Sequence, residues 1–413
     1  MWTLAWRNLW RHRARTLIVG SAIALSYALF LILIGIEDHS GEEMSAKAED
    51  FVGGALRVEG GEFTAMRTLD HLVPDGVALA ERIAALPQVR NVRVEVELQG
   101  LLSSPRNNTG ADLRGIDPDN WPTALEDLGL AVAEGRFLHP DDATGIALTR
   151  TVARELSVAL GDRVVLTLSD PDGEVTRALF LVATILDVEP GGFDRIAFTH
   201  LQAAQRAANL GDAVTGIGVQ LADSRQRFRL QPDLQAQVDQ WRPDQNLAVL
   251  TWDEVLPELV AMIEVDRANT LVFLGLIFLV VVFAIANTML MSVLERIREF
   301  GLLGALGLGP GHLIRLVFIE GALLTLAAMA VGLAIALAGH TAIATWGIPL
   351  GEGGLEYETA GISMVDFSLY STLIPLHWIR TSVLIFVLSM LASIYPALRA
   401  MRLEPTEAMR TWK

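Results

Sequence analysis

Few residue types in this 413-residue chain could carry covalent chemistry. There is no cysteine, which excludes thiolate nucleophiles, thiolate metal sites and disulfides. The histidines, His12, His39, His71, His139, His200, His312, His340 and His377, show no HExxH or comparable metal-ligand spacing. No GxSxG turn presents a serine. Lys47 and Lys413 are the only lysines, and neither closes a GxxxxGK[ST] phosphate-binding loop. Acidic pairs such as Glu126-Asp127 and Asp141-Asp142 read as solvated turns. The chain is therefore expected to be no enzyme, to hold no metal and to need no cofactor of its own.

What remains is charge placed at the edges of apolar sequence. The segment Val293 to Gly307 separates two long apolar runs. In it Glu295 and Glu299 lie one helical turn apart with Arg296 and Arg298 between them, followed by Gly301, Ala305, Leu306 and Gly307. A short helix of this kind, lying on a membrane surface, offers both signs of charge to a docking partner; an ordinary basic loop is the competing reading. Glu320 falls inside an apolar run. A charged carboxylate at a membrane-helix centre costs ~2.5–3.5 kcal/mol, so it is either functional or sited at an interface or packed contact. A structural role is the expectation. Near the C-terminus, Tyr395-Pro396 ends an apolar run, and Arg399, Pro405 and Glu407 follow. Proline frees a backbone carbonyl and bends the chain there.

The elements that position these groups follow from hydropathy. Residues 16–36 are an uncharged run, long enough to span a bilayer, preceded by a tryptophan- and arginine-rich amphipathic stretch, 1–15. A cleaved signal peptide is disfavoured because the run is too long and ends in Glu37-Asp38. Further spans are expected at 268–294, 311–340 and 380–398. Residues 37–267 carry 39 Asp+Glu against 20 Lys+Arg. This acidic part alternates short β-like runs (Ala55–Val58, Val89–Val96, Val164–Leu168, Leu179–Ile185) with helical stretches at 76–86, 150–159 and 199–209, which predicts an α+β domain. Segments 37–50 and 251–267 read as helical stalks. The short segments 1–15, 295–310 and 399–413 hold the arginines, whereas the loop 341–379 is acidic. The positive-inside rule then places both termini in the cytosol and the acidic domain outside it. The acidic balance argues against nucleic acid as a partner.

The order of these parts resembles a known family. The stretch Glu295-Arg296-Ile297-Arg298-Glu299-Phe300-Gly301-Leu302-Leu303-Gly304-Ala305-Leu306-Gly307 resembles the ERxREIGxLRALG signature of MacB-type and lipoprotein-releasing (LolC/LolE-type) permeases, with Gly304 where arginine is usual. The ending from Tyr395-Pro396-Ala397 through Arg399 and Arg402 to Pro405-Thr406-Glu407-Ala408-Met409-Arg410 is similar to that family's YPAxRAxRxxPxEALR ending. Ala5-Trp6-Arg7-Asn8 resembles its elbow helix, and Glu134-Gly135-Arg136-Phe137 and Gly161-Asp162-Arg163 its extracytoplasmic core domain.

The resemblance implies a four-span ABC transporter permease of the MacB/LolC–LolE/FtsX-like family with a large α+β, MacB-like periplasmic core domain, in a bacterial inner membrane. It implies that Glu295 to Gly307 is a coupling helix docking on a cytosolic ABC ATPase, present in two copies, which binds the ATP and Mg. A second permease copy or paralogue would complete a dimeric, eight-helix core surrounded by membrane lipid, with a periplasmic or outer-membrane partner a further possibility. Mechanotransmission to the outer domain for lipoprotein release or another amphiphile export is the expected function. An FtsX-like regulator of a cell-wall hydrolase and MacB-like drug or peptide efflux are the alternatives.

Overall fold

The computed structural model describes residues 11, 13–118, 129–139, 144–188, 195–295, 310–349, 358–359, 362–363, 368–394 and 398. The chain divides into two compact units: Met1–Glu42 with Ile263–Ile348 and Ser368–Lys413, and Glu43–Met262 with Pro349–Phe367. Helix α1, Arg13–Val52, runs for 40 residues. At ~1.5 Å per residue that is ~60 Å, about twice the ~30 Å hydrocarbon thickness of a bilayer. It stops at Gly53, whose φ of +89° is a left-handed conformation that glycine adopts without a Cβ clash.

The unit Glu43–Met262 is a mixed sheet with helices. Its elements, in order, are β1 (Leu56–Gly60), α2 (Phe63–Met66), α3 (Gly76–Ala84), β2 (Val89–Ser103), β3 (Asn108–Ile116), β4 (Leu130–Gly135), β5 (Gly145–Thr149), α4 (Arg150–Leu156), β6 (Arg163–Ser169), β7 (Val175–Val188), β8 (Ile196–His200), α5 (Leu201–Ala207), β9 (Gly216–Leu221), α6 (Arg227–Trp241), β10 (Leu247–Thr251) and α7 (Trp252–Val255). Strand order is β10-β1-β9-β2-β3-β8-β5-β7-β4. The long strands β2 and β7 are also joined by β6, so the path β2-β3-β8-β5-β7-β6 returns to β2 and closes a six-stranded ring. Closure gives each of these six strands a partner on both sides, while β10 and β4 remain as the edges of the branches outside the ring. Alternating apolar residues of these strands (Val92, Val94, Val96, Leu98) form one core with Leu79 and Ile83 of α3, Ala203 and Ala204 of α5, and Leu234 and Val238 of α6.

Several helical bounds differ from the sequence expectation: 76–86 is helical over Gly76–Ala84, 150–159 over Arg150–Leu156, 311–340 over Pro310–Trp346 and 380–398 over Pro375–Ala392. Two further segments differ for a local reason. The stretch 199–209 is helical only over Leu201–Ala207, because Thr199 and His200 complete β8 and the Thr199 hydroxyl donates to the Gly145 carbonyl at 2.8 Å. The stalk 251–267 is interrupted: α7 ends at Leu256 (φ −118°, ψ 61°), and a new helix starts at Pro257. Proline disfavours helical geometry in the residue before it.

The membrane-type helices that follow are α8 (Pro257–Glu295), α9 (Pro310–Trp346) and α10 (Pro375–Ala392). Each begins with proline, whose missing N–H costs nothing in a first turn. With α1, they give four helices long and apolar enough to cross a membrane. They pack through Val19, Ile23, Val281, Ile285, Leu324 and Ala328, and through Tyr27, Leu31, Leu274, Ala336, Trp378 and Ile385. Large apolar side chains such as Phe273 and Phe283 remain exposed on the outside of the bundle.

Candidate functional site

In the helical unit, Glu295 is the last residue of α8 and is exposed. Arg296, Arg298, Glu299, Gly301, Ala305, Leu306 and Gly307 lie outside the described residues, as do Tyr395, Pro396, Arg399, Pro405 and Glu407. The structure does describe where these two segments attach. Val293 of α8 packs against Leu316 and Val317 of α9. A Cβ built on Gly321 of α9 would lie 3.4 Å from Met289 Cε of α8 and 3.0 Å from Ser393 Oγ just beyond α10. The helices bearing both motifs therefore touch at one level. Glu320 sits there too, on α9 beside Gly321, and is buried with 7% exposure.

Further along the bundle, the Tyr27 and Ser382 hydroxyls are 2.5 Å apart, linking α1 to α10. Gly332 lets α9 approach α1 closely: a Cβ there would lie 2.5 Å from the Ala24 carbonyl oxygen. Small residues at such crossings are how membrane helices gain packing energy without a hydrophobic drive. A polar cluster lies beyond them. The Asp38 carboxylate is 2.8 and 2.9 Å from His377 Nδ1, His39 Nδ1 is 2.9 Å from the Thr372 hydroxyl, and His340 Nδ1 is 2.9 Å from the Ser371 hydroxyl.

The sheet unit holds a charge network that the sequence reading did not find. Arg57 (β1) is buried with 1% exposure. Its guanidinium lies 3.2 Å from Glu59, 2.5 Å from Glu95 and 2.8 Å from Glu97. Arg114 (β3) adds contacts of 3.1 Å to Glu95 and 3.2 Å to Glu97. Its guanidinium carbon also stands 3.8 Å over the Phe51 ring, and it donates to the Phe51 carbonyl. Strand β9 lies between β1 and β2, and its charged-face positions are Gly216 and Gly218. A Cβ on Gly216 would lie 2.4 Å from Arg57 Nη2. Glycine there opens the path by which Arg57 crosses a strand to reach Glu95.

The network also ties down the segment after β1. Thr64 donates through its backbone N–H and its hydroxyl to the Glu59 carboxylate, both at 2.7 Å. Arg67 holds a left-handed φ of 51° and donates to Glu97 at 3.4 Å. Burial pushes the Glu95 carboxyl up to about 7, against the pull of Arg114 and Arg57. Burial also works to raise Glu97, but Arg57, Arg114 and Arg67 outweigh it and hold that carboxyl at about 2. Burial raises Asp112 as well. Among the described residues no cluster of histidines and carboxylates could hold a metal ion.

A helical bundle carrying a mixed-sheet unit inserted after its first helix defines a polytopic membrane protein with one large non-membrane domain. Residues 16–237 match the family model of the MacB-like periplasmic core domain, and residues 271–405 match that of the FtsX-like permease C-terminal. The chain therefore belongs to the FtsX-like permeases with a MacB-like periplasmic core domain, and it is an ABC transporter permease of the LolC/LolE/MacB/FtsX-like family. It is 26% identical over 338 residues to the lipoprotein-releasing system transmembrane protein LolC of Xylella fastidiosa, covering 78% of each chain. It is 22% identical over 408 residues to the corresponding LolE of Haemophilus influenzae, covering 94% of this chain and 93% of that one. To the pyoverdine export ATP-binding/permease protein PvdT of Pseudomonas syringae it is 25% identical, covering 81% of this chain but 51% of the other.

Proposed function

We propose that this chain is the permease subunit of an inner-membrane ABC transporter in which a separate cytosolic ATPase drives movement of the periplasmic domain. The observation that carries the reading is the match, in order along one chain, of the MacB-like core model and the FtsX-like C-terminal model. Both lysines lie outside a phosphate-binding loop, so the ATP and Mg belong to the partner. Two ATPase copies dock on residues 295–307, and a second permease copy or paralogue completes the membrane core. The exposed apolar side chains of the four helices are available to that copy and to lipid.

Motion at the cytosolic ends passes through α1 and α8, each long enough to run well beyond a bilayer. Both termini lie in the cytosol. The function is release of lipoproteins or export of another amphiphile. It is favoured over regulation of a cell-wall hydrolase because relatives that cover three quarters or more of both chains are named for lipoprotein release. The test compares export of labelled amphiphiles with activity of a co-purified hydrolase, in membranes supplied with ATP. ATP-dependent movement of the amphiphile supports the reading; hydrolase activation without any flux overturns it.

A further inference from the structure

We propose that Asp38 and His377 form a pH-sensitive latch between α1 and α10: a proton taken up by the His377 ring turns their hydrogen bond into an ion pair and holds the two helices together more tightly in acid. The inference goes beyond the permease reading, which names no regulation, and it stands whether or not an ATPase docks.

Three of the eight histidines gather at one end of the helical unit, each from a different helix. His39 belongs to α1, His340 to α9 and His377 to the first turn of α10. All three use Nδ1 to reach another element. His39 and His340 meet the hydroxyls of the neighbouring residues Thr372 and Ser371, and His377 meets Asp38 of α1. The Thr372 N–H also donates to the Gly35 carbonyl at 2.9 Å, and Ser371 is buried with 5% exposure. The His39 ring stands edge-on to Tyr370 and the His340 ring to Trp378, with centroids 5.7 and 5.6 Å apart. The segment before α10 is therefore pinned to α1 and α9, which fixes where His377 stands opposite Asp38. Asp38 lies one turn before Glu42, after which α1 passes into the sheet unit.

The three contacts respond differently to acid. A hydroxyl donates or accepts, so Ser371 and Thr372 can pair with an imidazole in either charge state. An ionised carboxylate only accepts, so His377 Nδ1 must carry the hydrogen in its contact with Asp38. A second proton at Nε2 leaves this geometry intact and makes the bond fully charge-assisted. Imidazole is the side chain that takes up such a proton near neutral pH. Asp38 is 13% exposed and His377 39%, so the carboxylate is shielded while the ring exchanges protons with water. Among the described residues, the other charges around the pair are Glu37 of α1, Asp266 and Arg267 of α8, and Arg380 one turn along α10. Glu37, Asp38 and Asp266 thus face two arginines, a balance that favours a cation on His377. His39 and His340 add like charge once protonated, but they face hydroxyls and not the carboxylate. The first turn of α10 opposes a cation through its partial charges, which a full carboxylate charge at 2.8 Å outweighs.

The test is hydrogen exchange by mass spectrometry on the full chain in lipid nanodiscs at about pH 5.5 and 7.5, with each rate divided by the intrinsic rate at that pH. The readout is the protection of the stretches around Asp38 and His377. The proposal expects both to be ~5-fold or more better protected in acid, since a proton held more tightly in the latched state shifts the opening equilibrium by up to ~10-fold per pH unit. Asp38→Asn keeps an acceptor without the charge and should abolish the difference, as should His377→Gln. His39→Gln and His340→Gln should retain it. Equal or lower protection of the wild type in acid overturns the proposal, whether or not any variant folds. So does a pH dependence that survives Asp38→Asn or His377→Gln, or one that disappears in His39→Gln or His340→Gln. The pH response of the sheet unit through Glu95 is read separately, on the amides of β2. No ATPase takes part in the measurement, so its outcome is separate from that of the permease reading.

Discussion

Replacing Arg57 by methionine tests the buried network most sharply. The guanidinium has 1% exposure and contacts Glu59, Glu95 and Glu97 within 3.2 Å. Methionine keeps much of the aliphatic length and removes the charge. Three carboxylates are then left in one buried region with Arg114 and Arg67 as remaining counter-charges. Breaking a buried pair from one side costs ~3–5 kcal/mol. The low end is expected here, because Glu95, held at about 7, can take up a proton and discharge part of the excess. The assay is hydrogen exchange by mass spectrometry on the reconstituted chain, following the amides of β1 and β2 against wild type at the same pH. A loss of ~3 kcal/mol accelerates exchange through opening by roughly two orders of magnitude at pH 7.5. The penalty should shrink at pH 5.5, where Glu95 is protonated in advance, and Arg57→Met/Glu95→Gln should be less unstable than the sum of the single changes. An effect below ~1 kcal/mol, or a penalty that neither pH nor the second substitution alters, refutes this account of the network.

Further outcomes follow from the same contacts. Because the Glu95 carboxyl is raised, the folded unit binds its proton more tightly than the unfolded chain does, so this group's contribution falls as pH rises through about 5 to 7. Glu95→Gln should flatten that part of the stability–pH curve in a urea titration of the reconstituted chain. Gly332→Val should separate α9 from α1, since its Cβ would lie 2.5 Å from the Ala24 carbonyl oxygen. A cost of ~1–3 kcal/mol is expected, seen as a lowered Tm in detergent. Gly216→Ala should displace the Arg57 guanidinium and reproduce part of the Arg57→Met exchange pattern in β1 and β2.

The four membrane helices were legible because an uncharged run of some 20 residues has few other stable fates. Strands β1, β2, β6 and β7 were visible in part through alternating Val, Leu and Ile. The alternation on β2, Val94-Glu95-Val96-Glu97-Leu98, reads as one core face and one solvated face. The second face is in fact covered, with Glu95 fully buried and Phe51 packed over Arg114. Period-two patterning cannot reveal a lid that comes from distant sequence. One local hint existed: β9 carries glycine at alternate positions, Gly216 and Gly218, where a solvated face needs none. Ring closure through β6 was equally hidden, since only three residues of β2, Leu101–Ser103, pair with it. The break before Pro257 was available from the proline itself, but the helical spacing across 251–267 masked it. For Glu320, apolar context left a functional role and a structural one, at an interface or a packed contact, both open, and the structure adds that the residue is buried.

The central claim is that this chain is a permease driven by a separate ATPase docked on the segment between α8 and α9. The most direct measurement is affinity purification from native membranes in mild detergent, with mass spectrometry and an ATPase assay of the eluate. The account predicts recovery of a P-loop ATPase with wild type. It also predicts loss of that subunit and of ATP hydrolysis when Glu299→Arg and Gly301→Leu are combined, with the permease still folded by hydrogen exchange. An eluate that retains other membrane complexes yet contains no ATPase, or an ATPase that binds the double variant as well as wild type, would contradict it.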